Sequence, residues 1–421
     1  MPTPARSSNP FRVLARHRNY RIFWTGQTLS LVGSWMQTMA VGWLALQLSD
    51  SAFVVGLVAS VGALPIVLFS MHAGAFVDHG DKLRIVRVTQ SILLVQAAVL
   101  WLVTLTGHVS IPLLLVLAFV QGCSSAVEIP ARHSMIIQLV GRADLQPAVA
   151  LNSSGFNLAR VIGPAIGGLV IARFGIAWCF GLNALSFVAV LWGLFRIDLP
   201  VVARPPGSPA ASAGLREIFH RSSAGAADGL RHLARPGPLR ELLGLVTVGA
   251  VLGGPFLTLM PVIARDQLGL GAGGYGALLA VVGVGGLLGA LLVAGPISHA
   301  PNKGRILMAA SLAFPALLLG FAYTTTVGLA YVVLFATGVA MITFNALANG
   351  LLQLLVEERY RGRLMAFYSL VFVGLSQALG SFTIGALARL ISAPHAIACG
   401  ALVLAAASIT TVRRSDFWRR V

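Results

Sequence analysis

Long runs of apolar residues follow one another along the whole chain and are separated by short polar gaps. A helix needs roughly 20 apolar residues to cross the ~30 Å hydrocarbon core of a bilayer. The pattern therefore predicts an all-α membrane protein with twelve membrane-spanning helices. The predicted spans are 22–47, 53–75, 84–106, 111–133, 148–172, 177–196, 239–264, 273–297, 304–324, 328–355, 364–390 and 395–412.

One polar segment is longer than the others and divides the spans into two sets of six. Residues 197–238 contain six prolines among small and basic residues, a composition typical of a linker. Two six-helix halves are the layout of transporters whose site lies at the midplane between them. The expected regions are an N-terminal segment 1–21, a bundle 22–196, the linker 197–238, a bundle 239–412 and a tail 413–421.

A weak internal repeat supports this division. Gly163 and Gly168 of the fifth span align with Gly380 and Gly385 of the eleventh at one offset, because 380 − 163 and 385 − 168 both equal 217.

The charge distribution favours a membrane location over a nucleic-acid surface. Only 10% of the residues are charged, against about 25% in soluble proteins, although the net charge is +17. Lys and Arg fall in alternate gaps between the spans, which the positive-inside rule associates with the cytoplasm. We expect a multi-pass protein of a bacterial inner membrane, with both termini in the cytoplasm and no nucleic-acid partner. The first apolar run is too long for a signal peptide and is expected to remain as an anchor.

Three charged residues of the predicted spans are expected at membrane depth, where a charge costs roughly 2.5 to 3.5 kcal/mol unless it is paired or hydrated. They are Glu128, Arg132 and Arg160. Gln121 and Ser125 precede Glu128 and Arg132 at helical spacing, so all four share one face of the fourth span, which is expected to line a cavity. Glu128 is a candidate proton carrier; the alternative is a static ion pair with Arg132.

Two further spans carry polar stripes that should face protein or water rather than lipid. Each stripe fits cargo binding and plain helix packing equally well. Trp35 and Trp43 are candidate contacts for an aromatic cargo. The stripes comprise Gln27, Ser30, Ser34 and Gln37 in the first span, and Asn345, Asn349 and Gln353 in the tenth.

The loop after the second span is a candidate conformational element. Gly74 is expected to permit close helix approach and Gly80 a tight reversal of the chain. Asp78 is expected to cap the next helix or to pair with Arg84.

The fifth span contains a second candidate conformational element. Pro164 lacks a backbone donor, and Gly163, Gly167 and Gly168 allow a neighbouring helix to pack closely, which predicts a kinked, flexible helix.

The sequence contains no pattern that indicates catalysis. Cys123, Cys179 and Cys399 lie in apolar runs without metal-ligand spacing, which favours packing roles. A Walker A pattern and a catalytic dyad are also missing. We therefore predict no enzyme activity, no metal and no cofactor.

The loop Gly74 to Arg84 resembles the loop signature of the major facilitator superfamily, in which this loop gates the conformational change. The segment 159–168 resembles the Gly-Pro-x-x-Gly-Gly motif of antiporters in that superfamily, with Ala159 at the leading glycine position. Stretches in a characteristic order resemble the enterobactin-exporter-like, or transmembrane secretion effector, group. These stretches are 17–21, 26–27, 35–37, 130–132, 178–180, 182–187, 261–262, 264–266, 361–363 and 368–370.

The resemblance implies the major facilitator fold and proton-driven efflux of a siderophore, a drug or a similar amphipathic molecule. The superfamily's usual arginine in the fourth span is replaced here by Ala118, which puts the standard proton relay in doubt. We expect a monomer in the bilayer that exchanges protons for a small-molecule cargo by alternating access. The alternatives are an importer or lipid-moving facilitator of the same fold and, from another class, a membrane-embedded sensor or enzyme.

Overall fold

The computed structural model describes residues 11–197 and 237–414. Most of the predicted linker and the tail from residue 415 lie outside these ranges. Within them, a short helix, Phe11–Arg16, precedes twelve long helices. Helices α1 to α12 span Arg18–Ser49, Ala52–His79, Lys82–Leu105, Ile111–Val140, Leu145–Phe174, Ala177–Phe195, Pro238–Gln267, Ala272–Ala294, Lys303–Ala322, Val327–Leu355, Glu358–Ile391 and Ala393–Arg414.

The twelve predicted spans are confirmed, and several helices are longer than their apolar runs. Helix α4 continues to Val140, beyond its predicted end at residue 133, because Met135, Ile136 and Leu139 are buried in the N-terminal half. The polar residues among them interrupt the hydropathy pattern but not the helix. Likewise, α1 begins inside the predicted N-terminal segment, at Arg18.

Helices α7 and α11 contain wide, π-helical turns. In α7 these turns span Gly249–Gly253 and Ile263–Gln267, and in α11 one spans Leu370–Gly380. Such turns are uncommon in helices and are frequent at functional sites. Both helices contact the N-terminal half.

The offset of 217 relates helix contacts as well as sequence positions. Gly56 of α2 packs on Gly385 of α11, and its counterpart at 56 + 217, Gly273 of α8, packs on Gly168 of α5. A Cβ on Gly56, Gly168 or Gly385 would press on the backbone of the facing helix. The two six-helix halves are therefore structural repeats that meet through equivalent glycine crossings.

Two antiparallel helix pairs, α5 with α8 and α2 with α11, hold the halves together. Ser60 Oγ donates to Ala378 O across the α2–α11 pair at 2.5 Å. At the ends of these pairs Trp43 stacks on Tyr275, with ring centroids 5.7 Å apart. We call this the closed end; it carries the α1–α2 turn, whose Asp50 accepts from Arg265 Nη1 at 2.6 Å.

Toward the opposite end, which we call the termini end, the halves diverge. Val161 of α5 still lies against Gly283 of α8, but the next glycines of α8, Gly286 and Gly289, face α10 of their own half. The first parts of α7 and α11, Pro238–Val248 and Glu358–Ser369, pack chiefly within the C-terminal half. Contacts between the halves are thus concentrated toward the closed end, and from this divergence of the described helices we infer a wedge-shaped cleft that opens at the termini end.

Substituting Gly168 by Val should open the closed end. A Cβ at Gly168 would lie 3.1 Å from the backbone of Ala272 and Gly273, and overpacking of this kind costs about 1–3 kcal/mol. Spin labels at positions 108 and 325, in exposed turns of the two halves at this end, should move apart in a cysteine-free background. Electron-spin distance measurements would report the change.

Gly320→Val is the matched control, because a Cβ at Gly320 of α9 meets nothing within 4 Å. It should leave the label distance unchanged. An unchanged distance in Gly168→Val would show that this crossing does not hold the halves together.

Candidate functional site

A buried amide cluster lies inside the N-terminal half and is centred on Gln37 of α1. The Gln37 Nε2 donates to Gln96 Oε1 of α3 and to Gln121 Oε1 of α4, both at 3.1 Å. Its Oε1 accepts from Asn183 Nδ2 of α6 at 2.9 Å. Because one amide joins four helices, the α1 stripe packs against protein here, and Gln121 faces α1 rather than the cleft.

The other members of that stripe are placed similarly. Gln27 and Ser30 are buried, whereas Ser34 is half-buried. In this conformation Gln27, Ser30 and Gln37 pack against neighbouring helices, which is the second of the two roles considered for the α1 stripe, cargo binding and helix packing.

Glu128 and Arg132 form an ion pair within the N-terminal half. Arg132 Nη1 lies 3.2 Å from Glu128 Oε1, and the two side chains are 11% and 7% exposed. Gln90 Nε2 of α3 donates to the same carboxylate oxygen at 2.8 Å. The structure thus places Glu128 against α3 and not in the cleft, whereas Ser125 on the same helix is half-buried. The pairing shows how the charge is held in this conformation; the predicted role in proton transfer stays a prediction.

Arg160 lies between the two halves, at the middle of α5. The α5 face with Gly163 packs on α1, the face with Val161 and Pro164 packs on α8, and Arg160 projects between them. Its guanidinium carbon is 5.9 Å from the centroid of the Trp35 ring. Among the described residues, none forms an ion pair with Arg160. The narrow gap beside it is lined by Asn157, Val282, Gly283, Gly286, Leu287, Met341 and Ile342.

Gly163 explains how Trp35 reaches this position. A Cβ at Gly163 would lie only 2.6 Å from the Trp35 Cβ, so only glycine lets α1 approach α5 this closely. The Trp35 ring then packs edge-on against Phe156, with centroids 5.7 Å apart. The glycine motif of α5 therefore positions the tryptophan that lies against Arg160.

One exposed residue of α11 was not singled out by the sequence patterns. Gln377 of α11 is the repeat counterpart of Arg160, since 160 + 217 is 377. It is exposed, and it lies between Ser376, whose Oγ donates to Ala250 O of α7, and Ala378, which faces α2. The repeat offset, applied to Arg160, would have identified it.

The α10 stripe continues the cleft wall toward the termini end. Asn345 and Asn349 follow Met341 at four-residue intervals and so share its face of α10. Gln353 Nε2 donates to Asn349 Oδ1 at 2.5 Å, and Tyr368 OH of α11 donates to Asn345 O at 3.3 Å. These contacts place the stripe beside α11.

In the loop between α2 and α3, Asp81 caps α3, because its Oδ1 accepts from the backbone N–H groups of Leu83 at 3.0 Å and Arg84 at 3.2 Å. Asp78 belongs to the last turn of α2, and its side chain lies outside the described residues. Arg84 is exposed in the first turn of α3.

The two glycines of this loop have different surroundings. Among the described residues, a Cβ at Gly74 would meet nothing within 4 Å, so no helix packs closely on Gly74 in this conformation. Gly80 has an extended backbone that any residue can adopt, with φ of −92°. Its missing side chain makes room for Ile85 rather than permitting a special turn.

The glycines of α5 are used at two helix crossings. Gly163 and Gly167 face α1, where Gly167 meets Met36 and Met39, and Gly168 faces α8. Helix α5 continues through Pro164 without interruption. These three glycines therefore pack closely against neighbouring helices in this conformation.

A further cavity of about 780 Å³ lies on the outside of the N-terminal half, between α3, α4 and α6. Its lining includes the exposed apolar side chains of Val88, Ile92 and Val95. It faces the surroundings of the bundle and is separate from the cleft that contains Arg160.

Cys123, Cys179 and Cys399 are free thiols. In the described part of the chain, no three His, Cys, Asp or Glu side chains are grouped so that they could hold a metal ion.

Removing the hub amide should destabilise the N-terminal half. Gln37→Leu leaves Gln96, Gln121 and Asn183 without their shared partner, and each buried polar group left unpaired costs about 1–3 kcal/mol. The thermal unfolding midpoint of the detergent-purified protein should fall markedly. Thr38→Val on the same helix is the control, since Thr38 is exposed and bonds only to its own helix at Ser34 O. Equal unfolding midpoints for the two variants would show that Gln37 does not hold the amide cluster together.

The two arginines should respond oppositely to neutralisation. Arg132→Gln strands the buried Glu128 carboxylate, and breaking a buried pair in this way costs about 3–5 kcal/mol. Arg160→Gln removes a charge without a carboxylate partner in the described structure and should leave the unfolding midpoint unchanged or raise it. The same thermal measurement compares them. A loss of stability in Arg160→Gln as large as that in Arg132→Gln would show that Arg160 is a structural residue.

The whole chain resembles known membrane transporters. Residues 8–415 match the family described as transmembrane secretion effector. The multidrug efflux pump Tap of Mycolicibacterium fortuitum is 26% identical over 87% of each chain. The enterobactin exporter EntS of Escherichia coli O1:K1 / APEC is 25% identical over 90% of this chain and 88% of that protein. The staphyloferrin A transporter of Staphylococcus aureus is 31% identical, over 41% of this chain and 44% of that protein.

Solved structures agree with the fold. A bacterial homologue of the human lysosomal transporter Spinster, in an inward-facing and unoccupied conformation, aligns with a TM-score of 0.67 and 16% identity, over 98% of this chain and 97% of its own. The nucleoside transporter NupG aligns with a TM-score of 0.63 and 14% identity, over 97% of this chain and 100% of its own. With twelve candidate spans and no enzyme among these relatives, the chain belongs to the transmembrane secretion effector family of major facilitator superfamily transporters.

Proposed function

We propose that this transporter is a proton-coupled exporter that carries a small organic molecule out of the cytoplasm by alternating access. The observation that supports this most directly is the wedge-shaped cleft. The halves touch along α2–α11 and α5–α8 at one end and diverge at the other. Rocking of two repeats about a midplane site is how transporters of this layout expose their cargo to each side in turn.

The distribution of basic residues supports the orientation. The gaps at the termini end contain Lys82, Arg142 and Arg305, among other basic residues, whereas the described residues near the closed end include few, such as Arg173 and Arg389. Cytoplasmic gaps are the richer in Lys and Arg. The termini end is therefore assigned to the cytoplasm, and the cleft is open to it, ready to accept cargo from inside the cell.

The relatives support export, because two that cover most of the chain are called an efflux pump and an exporter. Proton entry provides the driving force, since one charge moving through 100 mV supplies about 2.3 kcal/mol. Glu128 is the proposed proton carrier: it is a buried carboxylate, paired with Arg132 on a helix of the moving half.

Transport direction can be measured in everted membrane vesicles from cells that express the chain. Export corresponds to uptake into these vesicles. We expect uptake, above empty-vector vesicles, of at least one probe from a set with an anionic dye (carboxyfluorescein), a cationic dye (ethidium) and a neutral dye (Nile red). A protonophore should abolish it. Accumulation only in right-side-out vesicles would indicate an importer, and transfer of labelled phospholipid alone would indicate a lipid-moving facilitator.

Glu128→Gln should uncouple transport from the proton gradient. Glutamine keeps an oxygen that can accept from Gln90 but cannot carry a proton at neutral pH. Energised uptake should fall at least tenfold, whereas exchange of cargo down its own gradient should persist. Glu358→Gln, at an exposed position of α11, should behave like wild type. Full proton-driven uptake in Glu128→Gln would remove this residue from the coupling step.

A further inference from the structure

We propose that the cargo is an organic anion and that Arg160 binds its acidic group at the apex of the cleft. This inference rests on the proposed function and specifies its cargo. Arg160 lies at the middle of α5, next to Trp35 of α1 and facing Gly283 of α8, so it belongs to the boundary between the halves.

The charge of Arg160 lacks compensation within the described structure. Glu128 already pairs with Arg132, Asp50 with Arg265, and Asp144 with His17 at 2.8 Å. Glu241, whose Oε2 is buried without a hydrogen-bond partner among the described residues, lies in the first turn of α7 at the termini end. Asp144 and Asp50 also lie at helix ends, far along the chain from the middle of α5. An arginine at the centre of a membrane protein is costly unless it is paired or hydrated, so an unpaired one is a binding-site candidate by default.

Arg160 also differs from an arginine that only fastens helices together. Arg87 of α3 shows that arrangement: its Nε and Nη2 donate to Leu194 O at the end of α6, at 3.3 and 2.8 Å. Arg160 makes no such bond to the described residues, and its guanidinium lies instead against the face of Trp35. That contact orients the guanidinium but leaves its N–H donors available.

The shape of the site selects the group that binds. The gap beside Arg160 measures about 10 Å³, room for about one water, so it excludes a ring system and leaves space only for one oxygen atom of an acidic group. One turn toward the termini end, Asn157 is exposed, and Asn345 lies on the facing wall. The body of the cargo would occupy this wider part, with its acidic group inserted toward Arg160.

Helix α11 carries a polar residue at the position that the repeat relates to Arg160. Gln377 supplies a neutral amide there, whose Oε1 accepts from Ser381 Oγ at 3.3 Å. The pairing of a cation on one half with an amide on the other suits an anion that bridges both halves.

Binding of two probes with the same ring and opposite charge tests the proposal. Benzoate should raise the thermal unfolding midpoint of the purified wild-type protein, and benzylammonium at equal ionic strength should not. In Arg160→Gln the benzoate concentration for half of the effect should rise about 10- to 100-fold, as expected for a lost hydrogen bond to a charged group. Arg160→Lys, which keeps the charge, should retain part of the effect. Arg173→Gln removes the same charge from the exposed closed end of α5 and should behave like wild type.

Each contrary result overturns the proposal. These are no stabilisation of wild type by benzoate, equal stabilisation by benzylammonium, or a benzoate effect that survives in Arg160→Gln. If Arg160→Gln does not fold, Arg160→Lys must still weaken benzoate binding, and an unaltered benzoate effect there counts against the site. The vesicle measurement distinguishes a failure of anion recognition by Arg160 from a failure of the proposed export function. Protonophore-sensitive uptake of ethidium that is unaffected by Arg160→Gln would sustain export and refute anion recognition.

Discussion

A charged side chain inside a bilayer must be paired with an opposite charge, hydrated or engaged in binding, and this constraint organises the N-terminal half of the transporter. Glu128 is satisfied by Arg132 and Gln90, and the Gln37 cluster satisfies its own amides across four helices. These interactions keep the polar groups of α1, α3, α4 and α6 inside one rigid body. Arg160 is the exception, and it lies where that body meets the other.

The halves are held together by a different kind of contact from the one that holds each half internally. Gly56 on Gly385 and Gly168 on Gly273 are close backbone crossings, accompanied by the hydrogen bond from Ser60 to Ala378 and by the exposed ion pair of Asp50 with Arg265. Backbone contacts between small residues gain little energy each and leave few polar groups unsatisfied when they separate. Such a seam is suited to opening, whereas the buried amide cluster and ion pair are suited to staying closed.

Much of the architecture was predictable from the sequence, because each span must satisfy its own backbone in lipid and so appears as an apolar run. The placement of polar side chains was less predictable. Helical spacing correctly places Gln121 and Glu128 on one face of α4, but spacing cannot say that this face meets α1 and α3 instead of the cleft. The end of α4 at Val140 was missed for a related reason: amphipathic turns beyond the apolar run pack on protein.

The loop residues show the same limit of sequence patterns. The motif after α2 was recognised, yet the capping role belongs to Asp81, and a Cβ added at Gly74 would have no neighbour within 4 Å. Gln377 illustrates the opposite case, since the repeat offset already present in the sequence leads to it. The offset could be interpreted only with the three-dimensional structure, in which the helix pairs between the halves follow the same offset.

Access to the cleft tests the central claim most directly, namely that a cleft between the halves leads from the cytoplasm to Arg160. A cysteine at Asn157, in a background free of native cysteines, can be modified with a membrane-impermeant thiol reagent in everted and in right-side-out vesicles. The account predicts fast modification in everted vesicles, slowed by benzoate, and little modification in right-side-out vesicles. Equal rates from both sides, or faster modification from the outside, would contradict it.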